Sequence, residues 1–114
     1  KLRNIKNIDV LDVAHMSRKM IKSGTEAVSL EYYYTEITSE NVDKWNAIEV
    51  LQEKMQINTD EIVAIGDNMN DEIMIKNAGL GIAMGQSNPH IKEIADQIVA
   101  HNTEDGVAEA LDLL

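Results

Sequence analysis

Three short apolar segments, separated by stretches of helical character, constrain the fold of this chain more than any other feature. They are IVAIG at 62–66, LGIAMG at 80–85 and QIVA at 97–100. Strands without polar alternation are typical of parallel sheets that helices cover on both faces. The segment 41–114 is therefore predicted to be an α/β domain built on a parallel sheet.

Helices are predicted around these strands. The segment KWNAIEVLQEKMQI, which begins at Lys44, has apolar residues at helical spacing. A second helix is expected across 70–77, closed by Gly79. A third is expected in SNPHIKEIAD, with Ser87 as the N-cap and Pro89 in the first turn, and a fourth in TEDGVAEALDLL at the end.

The chain before residue 41 has a different pattern. A helix is predicted over 9–23, with Asp9 as a possible N-cap and Gly24 as the stop, because several apolar side chains fall roughly on one helical face. The following segment AVSLEYYYTEITS, at 27–39, alternates with a period of two. This period predicts a half-exposed strand in an antiparallel sheet. Residues 1–40 are thus expected to form a separate α+β piece.

Composition excludes several kinds of partner. The net charge of −10 repels nucleic-acid backbones and anionic membranes. No apolar run approaches the ~20 residues that span a bilayer. The chain contains no cysteine, which is compatible with a cytoplasmic location. We therefore expect a soluble cytoplasmic protein without a nucleic-acid or membrane partner, in which any anionic ligand needs a local cation.

The segment GDNMND at 66–71 is very polar for a position beside a buried strand. Asp67 follows the carboxyl end of the strand, where parallel α/β sheets bind ligands. Asp71 lies in the first helical turn, where the helix dipole favours negative charge. A hard cation such as Mg²⁺ would relieve the repulsion between these acids. The simpler alternative is a capped turn, with Asn70 or Asp67 as the N-cap and the other charges solvated.

The stretch 62–111 closely resembles the carboxyl-terminal half of the haloacid dehalogenase (HAD) superfamily, specifically its Cof-type sugar-phosphatase branch. GDNMND resembles the acidic fourth motif of that family. KWNAIEVL resembles the third motif, in which a lysine, here Lys44, opens a helix. TEITSENVDK resembles the last cap strand, so residues 1–40 are expected to be the tail of a cap domain. Residues 41–114 are expected to be the carboxyl-terminal half of a Rossmann-like HAD core.

The resemblance implies a phosphatase in which an aspartate attacks a small phosphate monoester and water hydrolyses the resulting phosphoaspartate, with Mg²⁺ present. Asp67 would be a metal ligand. Asp71 would support the metal site from behind or reach the metal through water, and it would be catalytic together with Lys44. Lys44 would also hold the phosphoryl oxygens, and Asn70 would hydrogen-bond the phosphate or orient the carboxylates. The implied substrate is a small phosphorylated metabolite, which the cap would select.

Three features depart from the family pattern. The family's first motif, the Asp-x-Asp that supplies the nucleophile, does not occur, and the second-motif Ser or Thr has no convincing candidate. Trp45 stands where family members usually carry a small residue. The first residue is also Lys1 rather than a methionine. We therefore expect a fragment of a larger hydrolase that is inactive alone. The alternative is a non-catalytic interaction or regulatory module that reuses the same half-fold.

The missing first motif has a consequence for assembly. In the family's fold, the strand that ends at Gly66 pairs with the strand that carries the nucleophile. Without that neighbour, residues 61–65 would form an apolar sheet edge, and such edges recruit partners. Self-association through this edge is therefore expected.

Overall fold

The computed structural model describes the backbone of residues 4–23 and 26–114, and the side chains of residues 4–10 and 35–114. The chain forms two compact units, which divide between Val42 and Asp43. This division lies close to the predicted one at residue 40. The identity of the first unit as the tail of a cap domain stays a prediction.

The first unit contains an antiparallel pair of strands. Strand β1 spans Ile8–Ser23 and strand β2 spans Glu26–Ser39. Their pairing runs from Ile8 opposite Ser39 to Ser23 opposite Glu26, with a register shift between Val13 and Ser17. The predicted antiparallel strand at 27–39 is confirmed.

The predicted helix over 9–23 is wrong, because these residues form β1. Pairing with β2 supplies hydrogen-bond partners that the helical pattern could not reveal, and the register shift breaks the two-residue alternation that would have indicated a strand. Asp9 caps no helix; its carboxylate accepts a 3.4 Å hydrogen bond from the backbone N–H of Asn41. Gly24, the predicted stop, lies outside the described residues.

The second unit is a three-stranded parallel sheet with four helices, and its strands β3 (Val63–Gly66), β4 (Leu80–Ala83) and β5 (Gln97–Ile98) lie side by side in chain order. Short 3-10 turns lie at Thr59–Glu61 and Met69–Asp71. Val63 to Gly66 pair in register with Leu80 to Ala83. The predicted α/β class is confirmed. The elements in chain order are α1 (Lys44–Met55), β3 (Val63–Gly66), α2 (Glu72–Asn77), β4 (Leu80–Ala83), α3 (Pro89–Ile94), β5 (Gln97–Ile98) and α4 (Gly106–Asp112).

Local caps define two of these helices. Asp43 caps α1 through a 3.0 Å hydrogen bond from the N–H of Asn46, and the Asn46 side chain accepts the N–H of Asp43 in return. The predicted cap Ser87 of α3 is wrong: the N-cap is Asn88, whose side chain accepts a 3.0 Å hydrogen bond from the N–H of Ile91. Pro89 occupies the first turn of α3, as predicted.

Helices cover both faces of the sheet, as the sequence predicts. Neighbouring residues of β4 point to opposite faces, and Ile82 and Ala83 are both fully buried. One core cluster joins Ile82 with Met84, Val99 and Ala110 of α4. The other joins Ala83 with Ile75 of α2 and Ile91 of α3.

The outer position of β3 agrees with the predicted edge. Among the described residues β3 pairs with β4 alone, on one side. Separately, no helix in the part of the chain that the structure describes has the length and apolar character needed to cross a bilayer.

Candidate active site

Asp71 is the buried centre of the candidate site. Its side chain is 6% exposed, and its Oδ1 lies 2.5 Å from Nζ of Lys44, which is 27 residues away in sequence. Its Oδ2 accepts hydrogen bonds of 3.0 Å and 3.1 Å from the backbone N–H groups of Asp67 and Asn68. A cation and two amides therefore satisfy both carboxylate oxygens within the protein.

The close approach of Asp71 to β3 explains the glycine that opens GDNMND. A Cβ atom on Gly66 would lie 2.5 Å from Cβ of Asp71 and 2.9 Å from its Oδ2. Any larger residue would displace the carboxylate from Lys44 and from the two amides. Close packing thus requires a glycine at position 66. The buried Asp71 is in direct contact both with the end of β3 and with Lys44.

Asp67 and Asn70 are less buried than Asp71. Asp67 is exposed at the carboxyl end of β3, and its Oδ2 accepts a 3.2 Å hydrogen bond from Nε2 of Gln86. Asn70 is half-buried in the 3-10 turn, and its side chain makes no hydrogen bond to any other described residue. Both polar groups are available to a ligand at the strand end.

The capped-turn alternative named the wrong residue. Asn68 is the N-cap of the 3-10 turn, and its Oδ1 accepts a 2.9 Å hydrogen bond from the N–H of Met69. The regular helix α2 starts only at Glu72, later than the predicted start at residue 70. The cap involves only neighbouring residues and does not neutralise the charge of Asp71. Lys44, which lies in another helix, neutralises that charge.

The donor set fits a partial magnesium site. Among the side chains that the structure describes, no group of three or more His, Cys, Asp or Glu residues could hold a metal ion. Mg²⁺ typically takes one or two protein carboxylates together with waters and phosphate oxygens. Asp67 can supply one such carboxylate. Asp71 is engaged by Lys44 and the amides, so its predicted metal role, like its catalytic role, stays a prediction.

Trp45, the departure after the motif lysine, is accommodated by the helix that carries both residues. Its side chain is buried, and its Nε1 donates a 3.1 Å hydrogen bond to Glu49. Lys44, whose side chain is 50% exposed, still reaches Asp71. A large residue after the lysine therefore does not prevent Lys44 from contacting Asp71.

The comparisons with known proteins identify the family. The family model for haloacid dehalogenase-like hydrolases matches residues 3–111 of the sequence. The chain therefore belongs to this family, as its motifs predict. The chain is 42% identical, over 76 residues, to 5-amino-6-(5-phospho-D-ribitylamino)uracil phosphatase YcsE of Bacillus subtilis, covering 67% of this chain and 30% of that protein.

Solved structures agree with this assignment. A haloacid dehalogenase-like hydrolase from Bacteroides thetaiotaomicron is 38% identical with a TM-score of 0.67, over 84% of this chain and 34% of the other. A HAD subclass IIB sugar phosphatase, at 23% identity, shares the fold with a TM-score of 0.74 over 98% of this chain and 36% of its own. The chain thus spans about a third of the length of these relatives.

Proposed function

We propose that this chain supplies half of the active site of a Mg²⁺-dependent phosphatase, namely the half that contains Lys44, Asp67 and Asp71. It would hydrolyse small phosphate monoesters through an aspartyl-phosphate. The observation that carries this proposal is the contact between Lys44 and the buried Asp71, which fixes an ammonium group beside the carboxyl end of β3. Membership of the hydrolase family and the identity to a named phosphatase support it.

Each polar residue has a role that its contacts support. The side chain of Lys44 is half-exposed, and its ammonium group can bind phosphoryl oxygens and stabilise the negative charge that they carry in the transition state. The side-chain amide of Asn70, which has no hydrogen-bond partner among the described residues, can donate hydrogen bonds to the phosphate. Asp71 holds Lys44 with one oxygen and the backbone of the Asp67 loop with the other. Removal of Asp71 would therefore release Lys44 and the backbone of the Asp67 loop.

Asp67 is the residue that we propose as the magnesium ligand. A bound Mg²⁺ would supply positive charge for the phosphate at a strand end that otherwise carries exposed acid. This charge is needed because the chain as a whole has a net charge of −10, which repels phosphorylated metabolites. Lys44 and the metal would together overcome that repulsion.

The nucleophile is not among these 114 residues, since no Asp-x-Asp occurs in them. We therefore propose that the chain by itself hydrolyses no phosphate monoester. The side of β3 that pairs with no described strand is the place where we expect a further strand, carrying the nucleophile, to pair. In its absence we expect copies of the chain to associate through this edge, and a monomer by light scattering at tens of micromolar would contradict that expectation.

The test compares two acids in a protein that joins these residues to an Asp-x-Asp segment of the same family. With MgCl₂ and a panel of sugar phosphates, Asp67→Asn is expected to lower kcat by at least about a hundredfold, as loss of a group that stabilises transition-state charge does. The matched control is Asp60→Asn, an exposed carboxylate in the 3-10 turn before β3, which should retain full activity.

Two outcomes would overturn the proposal. Equal activity in Asp67→Asn and Asp60→Asn would remove Asp67 from the site. Absence of hydrolysis of every monoester by the joined protein would favour the non-catalytic module instead.

A further inference from the structure

Gln86 lies in the loop after β4, and its side chain contacts the loops that follow β3 and β5 at the carboxyl end of the sheet. Its Nε2 donates a 3.2 Å hydrogen bond to Oδ2 of Asp67, in the loop after β3. Its Oε1 accepts a 3.0 Å hydrogen bond from the backbone N–H of Asn102, in the loop after β5. We propose that Gln86 is a positioning residue that fixes the Asp67 carboxylate for its ligand. The inference rests on the proposed function.

The chemistry of the two partners decides the orientation of the amide. The N–H of Asn102 can only donate, so it requires the oxygen of the Gln86 side chain. The ionised carboxylate of Asp67 can only accept, so it requires the nitrogen. Rotating the amide by half a turn would break both contacts. The Gln86 side chain therefore has one favoured orientation, and it imposes one on Asp67.

The loop that carries Gln86 is held closely against the loop after β5. The N–H of Gly85 donates a 3.1 Å hydrogen bond to the carbonyl of Ala100. A Cβ atom on Gly85 would lie 2.7 Å from the backbone nitrogen of His101. Lys92 of α3 separately donates a 2.6 Å hydrogen bond from Nζ to the carbonyl of Gly85, which ties the same loop to that helix. The contacts of Gly85 with Ala100 and His101 place Gln86 beside Asn102.

The sheet also fixes the distance from this loop to Asp67. The N–H of Met84, directly after β4, donates a 3.0 Å hydrogen bond to the carbonyl of Gly66. Ser87 is buried, with its hydroxyl 3.5 Å from the same carbonyl. Gly66 immediately precedes Asp67, so the residues on both sides of Gln86 are tied to the residue before the acid.

The hydrogen bond from Gln86 restricts the side-chain orientation of Asp67. An exposed aspartate without a partner can occupy three staggered χ1 wells. The hydrogen bond from Gln86 selects one well by engaging Oδ2, and it leaves Oδ1 for a ligand. Because both groups are accessible to water, this hydrogen bond is expected to add little to stability while it preorganises the ligand oxygen.

The test uses three variants of the 114-residue chain, labelled for NMR. Gln86→Met removes both contacts while keeping the length of the side chain. Gln86→Glu keeps an oxygen for the N–H of Asn102 but loses the donor to Asp67. Gln52→Met is the matched control, because Nε2 of Gln52 donates a similar 3.0 Å hydrogen bond to Thr59 outside the site.

The first measurement is the set of three-bond couplings that report χ1 of Asp67. We expect one dominant well in the parent chain and in Gln52→Met, averaging over about three wells in Gln86→Met, and depletion of the parent well in Gln86→Glu, whose carboxylate repels that of Asp67. Hydrogen exchange of the Asn102 amide should accelerate in Gln86→Met and stay slow in Gln86→Glu. Averaged couplings in the parent chain, or unchanged couplings in Gln86→Met, would overturn the proposal.

The second measurement is a titration with MgCl₂, followed through the amide shifts of Asp67 and Asn68. Gln86→Met should bind about threefold more weakly than the parent chain, because three χ1 wells would be open to Asp67 where one is favoured. Equal Kd values would overturn the role of Gln86. Absence of any response in the parent chain would count against the magnesium part of the proposed function, and the couplings would still decide the role of Gln86.

Discussion

The β1–β2 ladder and the β3-β4-β5 sheet differ in what fixes each residue in its place. In the ladder, strands of 16 and 14 residues pair along almost their whole length. In the parallel sheet the strands are only four, four and two residues long, so hydrogen bonds between strands contribute little to its stability. Burial of side chains on both faces and close backbone contacts at glycines stabilise this sheet instead. A single side chain should therefore matter more in the sheet than in the ladder.

The largest effect is expected from Gly81→Ala. A Cβ atom at this position in β4 would lie 2.0 Å from the carbonyl oxygen of Ile75, so α2 must move away from the sheet. We expect a loss of about 3 kcal/mol or more in the free energy of unfolding of the second unit. Urea titration followed by the fluorescence of Trp45, the single tryptophan, would measure it. Amide signals of β1 and β2 provide the internal control, and an unchanged unfolding midpoint would contradict the prediction.

The next effect concerns the buried acid. Asp71→Ala leaves the backbone N–H groups of Asp67 and Asn68 without their acceptor, and we expect a loss of about 2 kcal/mol. Lys44→Met should cost less, about 1 kcal/mol, because half of the lysine side chain is already exposed and Asp71 keeps its two amide donors. Urea unfolding of both variants would test this order. A larger loss for Lys44→Met would show that the ion pair, and not the amide contacts, dominates.

A smaller effect is expected at the start of α3. Asn88→Ala removes the acceptor for the N–H of Ile91 and should cost about 1 kcal/mol. Ser87→Ala is the matched control, and it should cost less because Ser87 does not cap the helix. The reverse order in thermal unfolding would show that the buried Ser87 hydroxyl, 3.5 Å from the carbonyl of Gly66, stabilises the fold more than the cap does.

The smallest effect is expected in the ladder. Ile37 pairs with Val10 and is 49% exposed. Ile37→Thr keeps a β-branched side chain, so the stability of the ladder should change by less than about 0.5 kcal/mol. Hydrogen exchange of the neighbouring ladder amides would measure the change. A loss comparable to that of Gly81→Ala would show that the two units do not differ in the way described.

The same difference explains which predictions from the sequence hold. The elements of the second unit have local signals, such as a helix-opening Lys44 after Asp43, Pro89 in a first turn and short apolar strands, and their type is confirmed. β1 has no local signal of this kind, because its partner strand decides its structure. Gln86 also went unpredicted, since its contact with Asp67 spans 19 residues and nothing in the neighbouring sequence indicates it.

The sequence by itself determined the α/β class of residues 41–114, the family, and the position of Asp67 at the end of a strand, since these depend on the order of residues along the chain. Only the tertiary structure decided that Lys44 neutralises Asp71, that Asn68 caps the intervening turn and that Gln86 holds Asp67. Contacts between distant residues depend on how close the sheet and its glycines let the backbones approach, and residue order does not encode that distance locally.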